Sequence, residues 1–170
     1  MTDRSKVALR PFLPADIPVL ANIYRAAVEE LTGEDYDLDQ QEAWAALVDD
    51  EQAFGARLDA QLTLVAVRHG ESVGFLSLKD DSQIDLLYVR PQDAGTGVAD
   101  TLCQAAEAIA HGRGIPVLSV DASDTALGFF QRRGFVPQRR NTLDIDGVWL
   151  GNTTLTKALG EPAKEKRVLQ

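Results

Sequence analysis

The sequence predicts a mixed α/β (α+β) fold, a mostly antiparallel central sheet flanked by helices, on three observations. Residues 17–31 carry one apolar stripe at helical spacing, and three short β-prone runs succeed one another between Leu62 and Val89. Beyond them a glycine-bearing loop leads into an Ala-rich helix and then into further strand candidates. With 170 residues, 45% of them hydrophobic, the chain fits a single core and leaves little room for a second.

Val7 to Arg10 reads as a first strand closed by Pro11, and Pro14-Ala-Asp16 is a helix-start signal with an acid near the positive end of the dipole. Ile17, Leu20, Ile23, Tyr24, Ala27 and Leu31 then define a helix running to about Glu30. Gly33 and a cluster of acids break that pattern, and Gln40 to Val48 resumes it. The runs LTLVAVR, SVGFLSLK and QIDLLYV, parted by turns at His69-Gly-Glu and Lys79–Ser82, read as three consecutive antiparallel strands. From Gly97 a helix extends to a cap at Gly112 or Gly114, followed by a strand at Val117–Asp121. A short helix from about Thr125 to Arg133 ends at Gly134, and strands are expected at Gln138–Ile145 and Val148–Thr156. Residues 1–159 thus read as one domain and 160–170 as a polar tail.

The formal charge of −9 and pI near 4.6 argue against nucleic-acid binding, which needs clustered Lys and Arg. A lone Cys103 excludes an internal disulfide, and His69 and His111 offer no cluster at metal-ligand spacing, so no metal is expected. With neither a signal-peptide run nor an apolar stretch of membrane-spanning length, the expected setting is cytoplasmic, without membrane attachment.

The most informative stretch is Leu87 to Ala99, where a strand passes through Gln92-x-x-Gly95-x-Gly97 into a helix. Glycines let a backbone approach an anion closely, and the first N–H groups of a helix point outward at its positive end, so such a loop can hold a pyrophosphate. A Walker loop fails for want of its Gly-Lys-Ser/Thr ending. A dinucleotide fold is disfavoured because antiparallel strands precede the loop.

That stretch resembles the coenzyme A loop of the GNAT acyltransferases, Gln/Arg-x-x-Gly-x-Gly/Ala after a strand ending Val-x-Pro. Ser123-x-x-Ala126-x-x-Phe129-Phe130-x-x-x-Gly134-Phe135 is similar to a second motif of that family, and the element order matches over roughly residues 7–158. Tyr36 with Gln40-Gln-Glu-Ala-Trp44, and Leu150-x-Asn152, further resemble a bacterial subgroup of N-acetyltransferases. The resemblance implies a sheet splayed at an acyl-CoA cleft. Backbone groups of Leu87 and Val89 would pair with the pantetheine arm, and N–H groups from Gln92 to Ala99, including Gly95, Gly97 and Val98, would cradle the pyrophosphate. The side chains of Gln92 and Thr96 would add donors, Ser123 and Phe130 would border the cofactor, and Asp93 would point to solvent.

Acyl transfer to an amine needs a neutral amine, donors for the carbonyl oxygen as it gains charge, and a proton for the departing thiolate. Cys103, amid apolar helix neighbours, reads as a buried thiol, and His69 and His111 as exposed or capping residues. Alternation places Gln83, Asp85, Leu87 and Val89 on one face of their strand and Ile84, Leu86, Tyr88 and Arg90 on the other. Asp85 interrupts an apolar strand. Burial would raise its pKa and suit it to a base, while a role as partner to an Arg or to backbone has equal standing. Asp121 is the second-choice carboxylate. Where many family members carry a Tyr acid this chain has Phe130, and where many have Asn it has Ser123; the acid role passes to Ser123, to Tyr36 or to water, or matters little.

The resemblance also places Tyr36 and Trp44 in the acceptor wall, although Trp44 alternates with apolar positions and reads more readily as core. Glu34, Asp35, Asp37 and Asp39 either draw in a cationic amine or form a solvated loop. The resulting reading is an acetyl-CoA-dependent N-acetyltransferase acting on a small amine or protein amine by direct attack in a ternary complex, with a homodimer open to it. A catalytically idle acyl-CoA sensor and an adaptor domain are the alternatives.

Overall fold

The computed structural model describes residues 6–160, so the expected tail from 161 onward lies outside the described residues. Seven strands form one sheet in the order β1-β2-β3-β4-β5-β7-β6. They are β1 (Ala8–Pro11), β2 (Leu62–Arg68), β3 (Glu71–Lys79), β4 (Gln83–Val89), β5 (Val117–Ser123), β6 (Val136–Ile145) and β7 (Val148–Ala158). Every neighbouring pair is antiparallel except β4–β5. The helices are α1 (Ile17–Leu31), α2 (Leu38–Ala45), α3 (Glu51–Ala60), α4 (Val98–Gly112) and α5 (Asp124–Arg132).

Side-chain alternation divides the core in two. Ala66, Leu76 and Ile84 pack with Val98, Leu102 and Ala106 of α4, whereas Val65, Phe75 and Leu86 pack with Leu20, Tyr24 and Val28 of α1 and Phe54 and Leu58 of α3. The expected alternation along β4 fails at one place. Ser77 pairs with Leu86 but Leu78 pairs with Ile84, so Asp85 is the extra residue of a β-bulge. The bulge turns Ile84 to the α4 face with Leu87 and Val89, and leaves Leu86 and Tyr88 facing α1.

Helix α3 is an addition to the two helices expected before the sheet. Asp50 caps it, accepting from the Ala53 N–H at 3.0 Å, but its apolar face is reduced to Phe54 and Leu58 around a central glycine. Gly55 is there for contact: a Cβ at that position would stand 2.3 Å from Ile17 Cδ1, so α3 lies directly against the start of α1. Loop chemistry fixes the other entries. Asp37 and Gln40 close a reciprocal capping box on α2, and Ser123 Oγ accepts from Ala126 N–H at the start of α5.

The entry to α1 rests on Asp16. Its carboxylate accepts a forked pair from Arg10 at 2.8 and 2.7 Å and the Leu13 N–H at 2.8 Å. The Arg10 hydrogen bonds hold its pKa below the usual carboxylate value despite opposing burial. A lowered folded-state pKa gives stability that is present above the unfolded value, about 3.9, and is lost as pH falls through the folded one. Asp16→Asn should therefore cost about 1 kcal/mol near neutral pH, discounted for the partly exposed arginine. In urea melts the gap between the two proteins should close below about pH 4.

Candidate active site

Strands β4 and β5 pair only at Gln83 with Ser119 and Ile84 with Val120, and then part. Arg90 N–H donates to Val73 O of β3 at 2.8 Å, so by alternation the main-chain groups of Leu87 and Val89 face the opposite way, into the opening. A cavity of about 420 Å³ occupies that opening. Leu87, Val89, Ala99, Ser123, Phe129 and Phe130 line one end, and Tyr24, Tyr36, Trp44, Arg57, Asp85 and Tyr88 line the other.

At the first end, Pro91–Asp93 form a 3-10 turn, and Gly95 and Gly97 adopt φ of 75° and 93°, with no atom within 4 Å of where a Cβ would stand. Gly97 is the N-cap of α4, whose first N–H groups have no intrahelical acceptor. The N–H groups of Asp93, Ala94 and Thr96 are bound to Arg90, Pro91 and Asp93 carbonyls. That leaves Gln92, Gly95, Gly97, Val98 and Ala99 as the loop's candidate anion donors, a narrower set than the whole run from 92 to 99.

Two side chains of this loop sit otherwise than the sequence suggested. Asp93, expected in solvent, is 5% exposed; it accepts from Arg68 Nη1 at 3.0 Å and from Arg90 Nε at 2.6 Å. Thr96, expected to donate toward the cofactor, is turned inward. Its hydroxyl donates to Asp93 O at 2.6 Å and accepts from Arg68 at 3.0 Å. The loop is thus braced from beneath by a buried ion pair whose side chains are 3% and 6% exposed. The side chain of Gln92 is exposed.

At the other end the bulge presents Asp85 to α3. Arg57 forks onto its two oxygens at 2.8 and 3.0 Å, and Gln61 Nε2 donates to Oδ2 at 2.8 Å. Burial pulls the Asp85 pKa up, but the Arg57 and Gln61 hydrogen bonds outweigh it, and the pKa is lowered. The expected rise is overturned, and with it the physical ground for Asp85 as a strong base. Above Asp85, Trp44 Nε1 donates to Tyr88 Oη at 3.1 Å, and Tyr24 Oη donates to Trp44 O at 3.2 Å. Burial pushes Tyr88 up to about 12. Trp44 packs against the core and also lines the cavity. Arg57, Gln61, Tyr24 and Tyr88 were not singled out as site residues from sequence; an acid in an apolar strand called for a cation, but nothing local pointed to Arg57.

Tyr36 is 5% exposed, and its hydroxyl donates to Gly151 O at 2.7 Å while accepting from Asp124 N–H at 2.9 Å. Ser123 lines the cavity; because its Oγ accepts from Ala126, its own proton remains to give. Phe130 is 2% exposed and packs edge-on against Phe129 and Phe135. Asp121 lines the cavity and accepts from Thr154 Oγ1 at 2.5 Å. Burial pushes the Cys103 thiol up to about 12 within the α4 core, leaving no appreciable thiolate near neutral pH. Among the described residues no cluster of three or more His, Cys, Asp or Glu has metal-holding geometry, and no helix is long and apolar enough to cross a membrane.

A splayed parallel pair, a glycine loop at its mouth and a helix N-terminus beyond it are the arrangement to compare with known proteins. Residues 32–156 match the model of the acetyltransferase (GNAT) domain. The chain belongs to the GNAT acetyltransferase family. It is 30% identical over 148 residues to the N-acetyltransferase YafP of Escherichia coli, spanning 87% of this chain and 93% of that protein. A crystal structure described as a GCN5-related N-acetyltransferase, aminotransferase class-II, from Rhodopseudomonas palustris superposes with a TM-score of 0.89 at 52% identity, over 91% of this acetyltransferase and 96% of that chain. The PaiA N-acetyltransferase of Thermoplasma acidophilum, solved with coenzyme A, shares the fold at a TM-score of 0.71 and 18% identity, covering 90% and 99% of the two chains.

The brace beneath the loop predicts a large cost for a small change. Asp93→Asn replaces the carboxylate shared by Arg68 and Arg90 with a neutral amide, and should lower unfolding free energy in urea by about 1.5–3 kcal/mol, the range for hydrogen bonds to charged groups.

Proposed function

We propose that this acetyltransferase moves the acetyl group of acetyl-CoA to a primary amine by direct attack within a ternary complex. The observation that carries the reading is the reach of the cavity: it opens between β4 and β5, touches Val89 and Ala99 on the strand before and the helix after the glycine loop, and runs on to a group of aromatic rings. The residues fit the coenzyme. Gly95 and Gly97 leave a concave surface of N–H groups at a helix start, suited to a pyrophosphate, and the edge of β4 offers Leu87 and Val89 main-chain groups to an amide-bearing arm. Ser123 and Phe130 border that path, and Thr96 shapes the loop through its inward hydroxyl.

Acetyl-CoA supplies an activated acetyl carbon. The amine nitrogen bonds to that carbon as the C–S bond breaks, one amine proton leaves and the thiolate gains one. The N–H groups along β4 are the donors at hand for the carbonyl oxygen as it gains charge. Asp85, held as a carboxylate by Arg57, orients the acceptor, while water carries the proton away. In this reading Ser123 returns a proton to sulfur; its free hydroxyl proton supports the role, since the Tyr36 proton is already given to Gly151 and Phe130 has none.

Gly97→Val tests the cradle. Its positive φ and added bulk should cost at least about ten-fold in coenzyme A affinity by calorimetry, or ~1.4 kcal/mol, and unchanged affinity refutes the loop's role. Asp85→Asn should retain coenzyme A affinity while kcat/KM for the amine drops about ten-fold or more, equivalent to ~1.4 kcal/mol of transition-state stabilisation. An unchanged kcat/KM would move the acceptor-orienting role to Asp121.

A further inference from the structure

The acceptor end of the cavity has a composition that narrows the amine, provided the transferase reading above holds. Tyr24, Tyr36, Trp44 and Tyr88 form a connected set of rings, with Tyr24–Tyr88 centroids at 4.3 Å and Tyr36–Trp44 centroids at 5.3 Å. Their polar atoms face protein. Trp44 Nε1 is given to Tyr88 Oη, Tyr24 Oη to Trp44 O and Tyr36 Oη to Gly151 O, while Tyr36 Oη also accepts from Asp124. What these rings turn toward a ligand is therefore mostly carbon, while the Tyr88 hydroxyl, which accepts from Trp44, still has its own proton to give. The rim continues the pattern: Leu31, Leu47 and Leu143 line the opening while 38%, 50% and 44% exposed. Apolar side chains left in solvent around a concave site mark a surface that a ligand covers.

Charge narrows it further. Among the described residues the charged side chains lining the cavity are Arg57, Asp85 and Asp121. The first two neutralise each other through their fork, leaving one net negative charge from Asp121, at the solvent-exposed edge of the cavity. The acids of the α1–α2 loop, once candidates for drawing in cations, do not line it. Asp35 accepts from Thr125 Oγ1, and Asp37 caps α2. A wall with one uncompensated carboxylate suits one ammonium; it offers a polyamine no partners for its further charges, and a carboxylate-bearing amino acid meets repulsion.

We propose that the acceptor is a monoamine whose amino group is borne on an aromatic body through a short alkyl arm, the ring seated among Tyr24, Trp44 and Tyr88 and covered by Leu31 and Leu47. Polyamines, short alkylamines and amino acids are poor acceptors for this site.

The test uses the full chain with acetyl-CoA and 2-phenylethylamine, tryptamine, n-butylamine, spermidine and glycine, with acetylated product measured by mass spectrometry. The two arylalkylamines should exceed the other three in kcat/KM by at least about ten-fold, ~1.4 kcal/mol. Spermidine, n-butylamine or glycine equalling or exceeding both would overturn the acceptor class while leaving the transferase reading intact. Binding is read apart from turnover. In Trp149→Phe, Trp44 is the one remaining tryptophan, and its emission should change saturably with 2-phenylethylamine and not with spermidine. Such a response with no product from any amine would sink the transferase reading and retain the acceptor class; no response and no arylalkyl product would sink the acceptor class. Leu47→Gln should raise KM for 2-phenylethylamine several-fold more than for n-butylamine, at unchanged coenzyme A affinity. An equal change for both amines means the rim does not read the aromatic body.

Discussion

Two neighbouring strands that keep company for two residues and then separate are the constraint on which the rest of this structure depends. Buried main-chain N–H and C=O groups need partners, and the parting of β4 from β5 leaves a row of them without sheet neighbours on one side. Such an edge is tolerable only where it borders solvent or a ligand. The surrounding elements hold the wedge open: α5 and the β7 backbone stand on one side, and α1 with its following loop on the other. The bulge at Asp85 lies just past the last pair, where β4 bends away, and α3 supplies the arginine and glutamine that hold the displaced carboxylate.

Electrostatically, the two ends of the cavity are organised alike. Each pairs its nearest acid with arginine, beneath the glycine loop at one end and within the cavity wall at the other. Under the glycine loop, Asp93 is shared between Arg68 and Arg90, and Arg90 reaches on to Glu71, so a carboxylate close to an expected anion is balanced by two guanidinium groups. In the wall of the aromatic chamber, Asp85 is likewise neutralised by Arg57. Full pairing keeps these buried charges tolerable, and it leaves the exposed surfaces to be defined by backbone dipoles at one end and ring carbon at the other.

The strands, the glycine loop and helices α1, α4 and α5 were legible in the sequence because each has a strong local signal: period-two alternation, glycines at fixed spacing, or a full apolar stripe. Helix α3 was not, since its buried face is Phe54 and Leu58 about a glycine that only contact with Ile17 explains. The bulge escaped for a similar reason: one extra residue is invisible until the partner strand is in place, and it reversed the face of Ile84. Asp93 and Thr96 were misplaced because their common partner, Arg68, lies 25 residues upstream of Asp93, and no local rule links them. Local pattern conveyed where the site is, whereas the side chains that brace it are held by contacts between distant segments.

The Tyr36 hydroxyl touches Gly151, 115 positions away, and Asp124, 88 positions away. Contacts of such sequence separation carry the largest loop-closure entropy and are made late, after nearer pairings have shortened the effective distance. The chamber wall that Tyr36 anchors therefore exists only once nearly the entire chain has collapsed. A nascent chain still missing β7 holds a nearly complete β1–β4 meander but lacks the carbonyl that pins Tyr36, so ligand-binding competence is among the last properties the polypeptide acquires.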